Sequence, residues 1–232
     1  MHLPLFTCKL KLKLQTEEIT SNFMSLIKAF EWRYAAKKYD TSRKLTQNQV
    51  VDLLGPVQLA PSSYGLQPYK FIHVQNLATL EKISRAAFGQ PQITTASHIL
   101  VIAVDTNIGE ETVKKYIAAA ALARKTERKN LEAREQFVNS RLALLSAAQK
   151  IEWAEKQAFL AVGILISAAA EAGIDASPME GFDHGQLDEI LGLKEHNLQS
   201  TLLFALGYRS PDDEFASLAK VRKSHDELFP TF

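Results

Sequence analysis

Cysteine is almost missing from this 232-residue chain: Cys8 stands alone, which excludes an intramolecular disulfide and fits a reducing, cytoplasmic setting. Glycine is also sparse, at 10 residues, and neither Gly-x-Gly-x-x-Gly nor Gly-x4-Gly-Lys-Ser/Thr occurs. The usual backbone cradles for a dinucleotide or a nucleotide phosphate are therefore absent. No Gly-x-Ser-x-Gly elbow and no His-Glu-x-x-His helix is present, which removes two common hydrolase chemistries. The 6 histidines form no i, i+3 or i, i+4 pair and have no cysteine cluster beside them, so no metal site is expected. Charge of one sign is lacking too: a net charge of +1 gives no pointer to nucleic acid or an anionic membrane.

What is present is ordinary globular material, 46% hydrophobic and 23% charged, in a length that suits one domain with a sizeable core. The stretch Ile151 to Glu171 organises it. Phe159, Leu160, Val162, Ile164, Leu165 and Ile166 cover every side of a helix, and an all-round apolar helix must be buried all round. Its uncharged run, 157–170, falls short of the ~20 apolar residues that span a bilayer. We expect a core helix closed by Gly173 and covered in part by a second copy of the chain.

Residues 1–23 are expected to be a poorly ordered N-terminal extension, and 24–232 a single domain. A short helix is expected over Ser21 to Trp32, with Phe23, Leu26, Ile27 and Phe30 inward. Thr46-Gln-Asn-Gln49 is a capping box that opens the next helix. Strands are expected at Tyr69 to Gln75, His98 to Asp105, Ile174 to Ser177 and Ser200 to Leu206, with a charged helical region between Gly109 and Lys150. Pro178 to Phe182 reads as a turn, and Asp183 caps a helix to Leu191. Strands separated by helices of unequal length point to an α+β fold rather than a βαβ series.

Several short motifs occur in a fixed order: Arg33 and Lys37 before Tyr39-Asp40, then Ala60-Pro-Ser-Ser-x4-Pro-Tyr-Lys-Phe71 and Thr95-Ala-Ser-His-Ile99. Pro178-Met-Glu-Gly-Phe-Asp183, Leu206-Gly-Tyr-Arg209 and Lys220-Val-Arg222 complete the set. Together, over about residues 24–226, they resemble the FMN-dependent nitroreductase family, in its oxygen-insensitive NAD(P)H nitroreductase and dihydropteridine reductase branch. The resemblance implies a central mixed, mainly antiparallel sheet flanked by helices, in a homodimer binding one FMN per subunit at the interface. It also implies ping-pong hydride transfer from NAD(P)H through flavin N5 to a nitroaromatic, quinone or pterin-like acceptor, with no catalytic side chain.

By the same resemblance, Arg33, Lys220 and Arg222 correspond to the cations on the FMN phosphate, and Lys37 to the lysine near flavin N1 and the C2 carbonyl. Tyr34 and Ala35 stand where the family often has His or Arg, and Ser. Pro61, Ser62 and Ser63 resemble the loop that reaches the flavin from the second subunit, with Gly65 in place of a frequent asparagine. Gln90 or Gln92 matches the polar residues facing the pyrimidine. Pro178, Met179, Glu180 and Gly181 resemble the turn that offers a backbone N–H to N5. Glu180 and Phe137 are the candidate substrate contacts. Taken singly, each residue has a plainer reading: Arg33 as a surface charge, Lys220 and Arg222 as a solvated tail, residues 61–63 as a connection. Two other functions stay open on the same fold, a flavin-binding dimer with little turnover and a flavin-fragmenting or dehalogenating enzyme.

Overall fold

The computed structural model describes residues 26–231; the extension expected over 1–23 lies outside them. Helix α1 (26–32) is followed by α2 (Gln47–Gln58), strand β1 (Tyr69–Val74), α3 (Leu77–Ala86), α4 (Pro91–Thr95) and β2 (His98–Asp105). Helices α5 (Glu110–Ala123), α6 (Glu132–Leu142) and α7 (Ala147–Glu171) form the helical middle. Strand β3 (Asp175–Met179), α8 (His184–Leu191), β4 (Leu198–Gly207) and the short α9 (His225–Leu228) complete the chain. The sheet has the order β1-β2-β4-β3, and all three pairings are antiparallel. Among the described residues no helix is long and apolar enough to cross a membrane.

Alternation along the two central strands divides the core in two, as a period of two requires. Leu100, Ile102, Leu202, Phe204 and Leu206 face α2, α5, α6 and α7. Ile99, Val101, Leu203 and Ala205 face the other way, toward Ile83 and Ala87 at α3, Ile93 of α4, Leu187 of α8, and the segment carrying Ala36 and Tyr39. On its buried side α7 presents Ala154, Ala158, Ala161 and Ala169, whose small side chains let the helix lie close to the sheet.

The long helix begins earlier than the charge pattern suggests. Ser146 and Gln149 form a reciprocal capping box, in which Gln149 N donates to Ser146 Oγ and Ser146 N to Gln149 Oε1. Gly173 ends it at φ 65°. One stripe is left open to solvent: Phe159 is 41% and Leu160 53% exposed. Leu26, Ile27 and Phe30 of α1 are exposed as well, contrary to the inward placement expected, because no other described element covers them; Phe23 lies outside the described residues.

A second difference concerns β3. The strand runs on through Pro178 and Met179, which were expected in the turn. Strand β3 is an edge of the sheet, and an edge tolerates a proline whose missing N–H costs no ladder bond.

Candidate functional site

The segment from Arg33 to Asp40 has almost no regular structure of its own, yet it is held at many points. Tyr39 and Arg209 form a β-bridge, Asp40 N donates to Tyr208 O at 2.8 Å and Ser210 N to Lys38 O at 2.9 Å. The Tyr39 ring is buried against Gly207, with its hydroxyl on Ala205 O (3.0 Å) and its backbone N–H on Thr95 Oγ1 (3.1 Å). These bonds lay residues 33–40 along the end of β4 and tie them to α4.

Arg33 is half-buried, and its enclosed Nε has no acceptor among the described residues. Burial, then repulsion from Arg222, lowers its pKa below the ordinary arginine value, and Asp175 opposes the shift in part. Two guanidinium groups brought together, one with a buried donor unsatisfied, have the chemistry of an anion site. Lys220 donates to Glu31 O at the rim of a 340 Å³ cleft lined also by Trp32, Tyr34 and Leu218. Arg33, Lys220 and Arg222, from opposite ends of the chain, therefore lie in one neighbourhood. Lys37 is exposed and makes no ion pair among the described residues.

Beneath these cations lie two carboxylates that sequence reasoning missed. Asp175, 3% exposed, accepts from Arg209 Nε and Arg209 N, both at 2.8 Å, and the guanidinium stacks over Trp32 and Tyr34. Asp213 Oδ2 accepts from Lys37 N (2.7 Å), Tyr34 Oη (2.8 Å) and Lys38 N (3.1 Å), and Oδ1 accepts from Phe215 N. Burial opposes ionisation of Asp213, but these donors outweigh it and hold its pKa below the usual carboxylate range. For Tyr34, burial and then the bond to Asp213 push the phenol well above its ordinary value. Its hydroxyl is thus committed inside the protein. A charged residue opening an apolar strand was a usable signal for Asp175; Asp213 sits in a polar run that reads as a plain turn.

On the same face of the sheet lies the segment from Pro178 to Gly181. Met179 and Phe182 share a core cluster with Ala36, Ile93 and the partly buried Tyr34. Glu180 and Gly181 are exposed, and no described group accepts from their backbone N–H groups. Gln90 holds this segment: its Nε2 donates to Gly181 O (2.6 Å) and Ala87 O (3.1 Å). Both Nε2 bonds are thus made within the chain, one to the turn and one to the end of α3, so Oε1 is the atom Gln90 has to offer a ligand. Gln92 is 3% exposed, and its enclosed Oε1 meets no donor among the described residues.

The loop Pro61-Ser62-Ser63 does not join this group within one chain. Ser63 N donates to Gln157 Oε1 of α7 (2.8 Å), and Tyr64 packs against Trp153 and edge-on to Phe137 at 6.3 Å. All of these lie with the α7 side of the core, across the sheet from Arg33 and Glu180. Phe137 is 55% exposed beside the loop. Gly65, at φ 79°, needs to be glycine, since a Cβ there would meet Tyr116 Cε2 at 2.9 Å.

An antiparallel sheet between two helical layers, with Arg33, Lys220 and Arg222 in one neighbourhood, defines an α+β protein. The chain belongs to the nitroreductase family, whose model matches residues 30–208. It is 32% identical over 198 residues to YfkO of Bacillus subtilis, provisionally named an NAD(P)H nitroreductase, covering 81% of this chain and 90% of the relative. It is 29% identical over 212 residues to the major NAD(P)H-flavin oxidoreductase of Aliivibrio fischeri, covering 88% and 96%. Among solved structures, a nitroreductase-type protein of Exiguobacterium sibiricum in complex with FMN superposes with TM-score 0.76 at 20% identity, covering 90% of this chain and 97% of that one. The fold of YdfN from Bacillus subtilis matches with TM-score 0.81 at 21% identity, covering 92% and 100%.

Proposed function

We propose that this chain is an FMN-dependent NAD(P)H oxidoreductase that reduces nitroaromatic, quinone or pterin-like acceptors as a cytoplasmic homodimer. The observation that carries the reading is the half-buried Arg33, whose enclosed Nε has no acceptor among the described residues and whose guanidinium feels the charge of Arg222, donors suited to a phosphate. The unused N–H groups of Glu180 and Gly181 lie on the same face of the sheet, as a second set of donors for the ring. FMN, when bound, supplies the redox chemistry, accepting hydride from NAD(P)H and passing it to the acceptor.

The protein's part is position and charge. Arg33, Lys220 and Arg222 bind the phosphate, while Lys37 places a cation at the pyrimidine end, where negative charge accumulates on reduction. The amides of Glu180 and Gly181 orient the ring, and Gln90 keeps their turn in place. Tyr34 serves through its bond to Asp213 and Ala35 through its backbone. Pro61, Ser62, Ser63 and Phe137 complete the pocket of the partner subunit, since they lie across the sheet from the site of their own chain. The exposed apolar residues of α7 and α1 supply surface for that dimer.

The test is to purify the protein, record its visible flavin absorption, and follow NADH and NADPH oxidation with menadione or nitrofurazone. A yellow protein with sustained nucleotide oxidation supports the reading. Bound FMN without turnover would favour a passive flavin-binding dimer, and a colourless protein that takes up no added FMN overturns the proposal.

A further inference from the structure

We propose that Asp213 is a positioning residue that sets Lys37 against the ring end of the flavin, and so tunes the flavin's reduction potential. This rests on the function proposed above, but the observations are the chain's own. Three donors converge on one oxygen of a buried carboxylate: the backbone N–H groups of Lys37 and Lys38 and the Tyr34 hydroxyl. The second oxygen accepts from Phe215 N. Only an ionised carboxylate offers acceptors on both sides; an asparagine must turn an NH2 toward one of these donors.

The arrangement bears on position more than on folding. Residues 33–36 belong to no helix or strand, so their path depends on side-chain anchors. Downstream, the chain is pinned independently: Tyr39 N to Thr95, Tyr39 Oη to Ala205 O, and Asp40 N to Tyr208 O. Loss of the Asp213 bonds therefore loosens the backbone at Lys37 and the Tyr34 hydroxyl, while Ala36 stays in the core and Lys38 O stays bonded to Ser210 N. Lys37 has no ion-pair partner among the described residues to hold its side chain, so the anchored backbone is what limits its reach. A lysine free to swing away from the ring stabilises the reduced flavin less than one held beside it.

The experiment uses the full chain with Asp213→Asn. In the flavin-free protein, amide hydrogen exchange at Lys37 and Lys38 is expected to rise at least tenfold. In the loaded protein the affinity for reduced FMN should fall about tenfold more than that for oxidised FMN. For a two-electron couple that is a drop of about 30 mV in potential. If Asp213 acts through Lys37, the same change in a Lys37→Ala background produces no further shift. An unchanged potential despite faster exchange, or an equal shift without Lys37, overturns the assignment. Should Asp213→Asn fail to fold, Tyr34→Phe removes one of the three donors and is expected to shift the affinity ratio about threefold; no shift overturns the assignment equally. A wild-type protein that binds no flavin sinks the proposed function and this inference with it. A flavin-binding wild type with a potential-neutral variant sinks the inference alone.

Discussion

Arg222 can be removed without disturbing the core, because it is exposed and its one described bond is to its neighbour's carbonyl, Val221 O. Its charge acts on Arg33 and, in the proposed site, on the FMN phosphate. Arg222→Ala is expected to weaken FMN binding about tenfold or more, the scale of a charge-assisted hydrogen bond of ~1.5–3 kcal/mol, and titration of flavin-free protein reads it directly. Gly207 is the opposite kind of residue. A Cβ there would lie 2.7 Å from the buried Tyr39 ring and 3.1 Å from Ser97 N. Gly207→Ala should cost about 1–3 kcal/mol by overpacking, measured by denaturant unfolding. His73 gives a pH signature. His98 Nε2 faces Leu45 O, which can only accept, so His98 Nδ1 is the acceptor for His73 Nε2–H at 2.8 Å. Burial, and then His98, lowers the His73 pKa below the ordinary value. The unfolded chain therefore takes up a proton that the folded chain resists, and stability falls as pH drops below ~6.5 through the depressed pKa. The wild type should lose more thermal stability between about pH 7.5 and 5.5 than His73→Gln does.

At the scale of elements, Gln157 links two parts that sequence reading treated separately. It is a buried amide on α7, donating to Trp153 O and accepting from Ser63 N of the loop proposed to enter the partner's site. Gln157→Ala leaves Ser63 N without its acceptor, at ~1–3 kcal/mol, and should speed hydrogen exchange at Ser63 while leaving the sheet protected. Strand β2 was legible to the residue, because an unbroken apolar run between His98 and Asp105 leaves few alternatives. The ends of α7 and β3 were less legible. Ser146-Gln149 and Pro178 act through capping and edge position, which local charge and turn propensity do not report. Among candidate site residues, the cations Arg33, Lys37, Lys220 and Arg222 could be named through resemblance. Asp175 and Asp213 could not, since their partners lie far along the chain: Arg209 for one, Tyr34 and Lys37 for the other.

At the scale of the molecule, one chain gathers the cations and the Glu180–Gly181 amides on one face of its sheet and leaves residues 61–63 with Phe137 on the other. In the function proposed above, a second chain completes the pocket, and the uncovered Phe159 and Leu160 offer surface to meet it. In the proposed dimer each half of the site is held by contacts within its own subunit, Gln157 to Ser63 for one and Gln90 to Gly181 for the other. The most direct measurement is the flavin content of the purified, desalted protein, with its uptake of added FMN. About one FMN per chain is expected, released on Arg33→Ala. A protein that emerges colourless and stays so after incubation with FMN would contradict it.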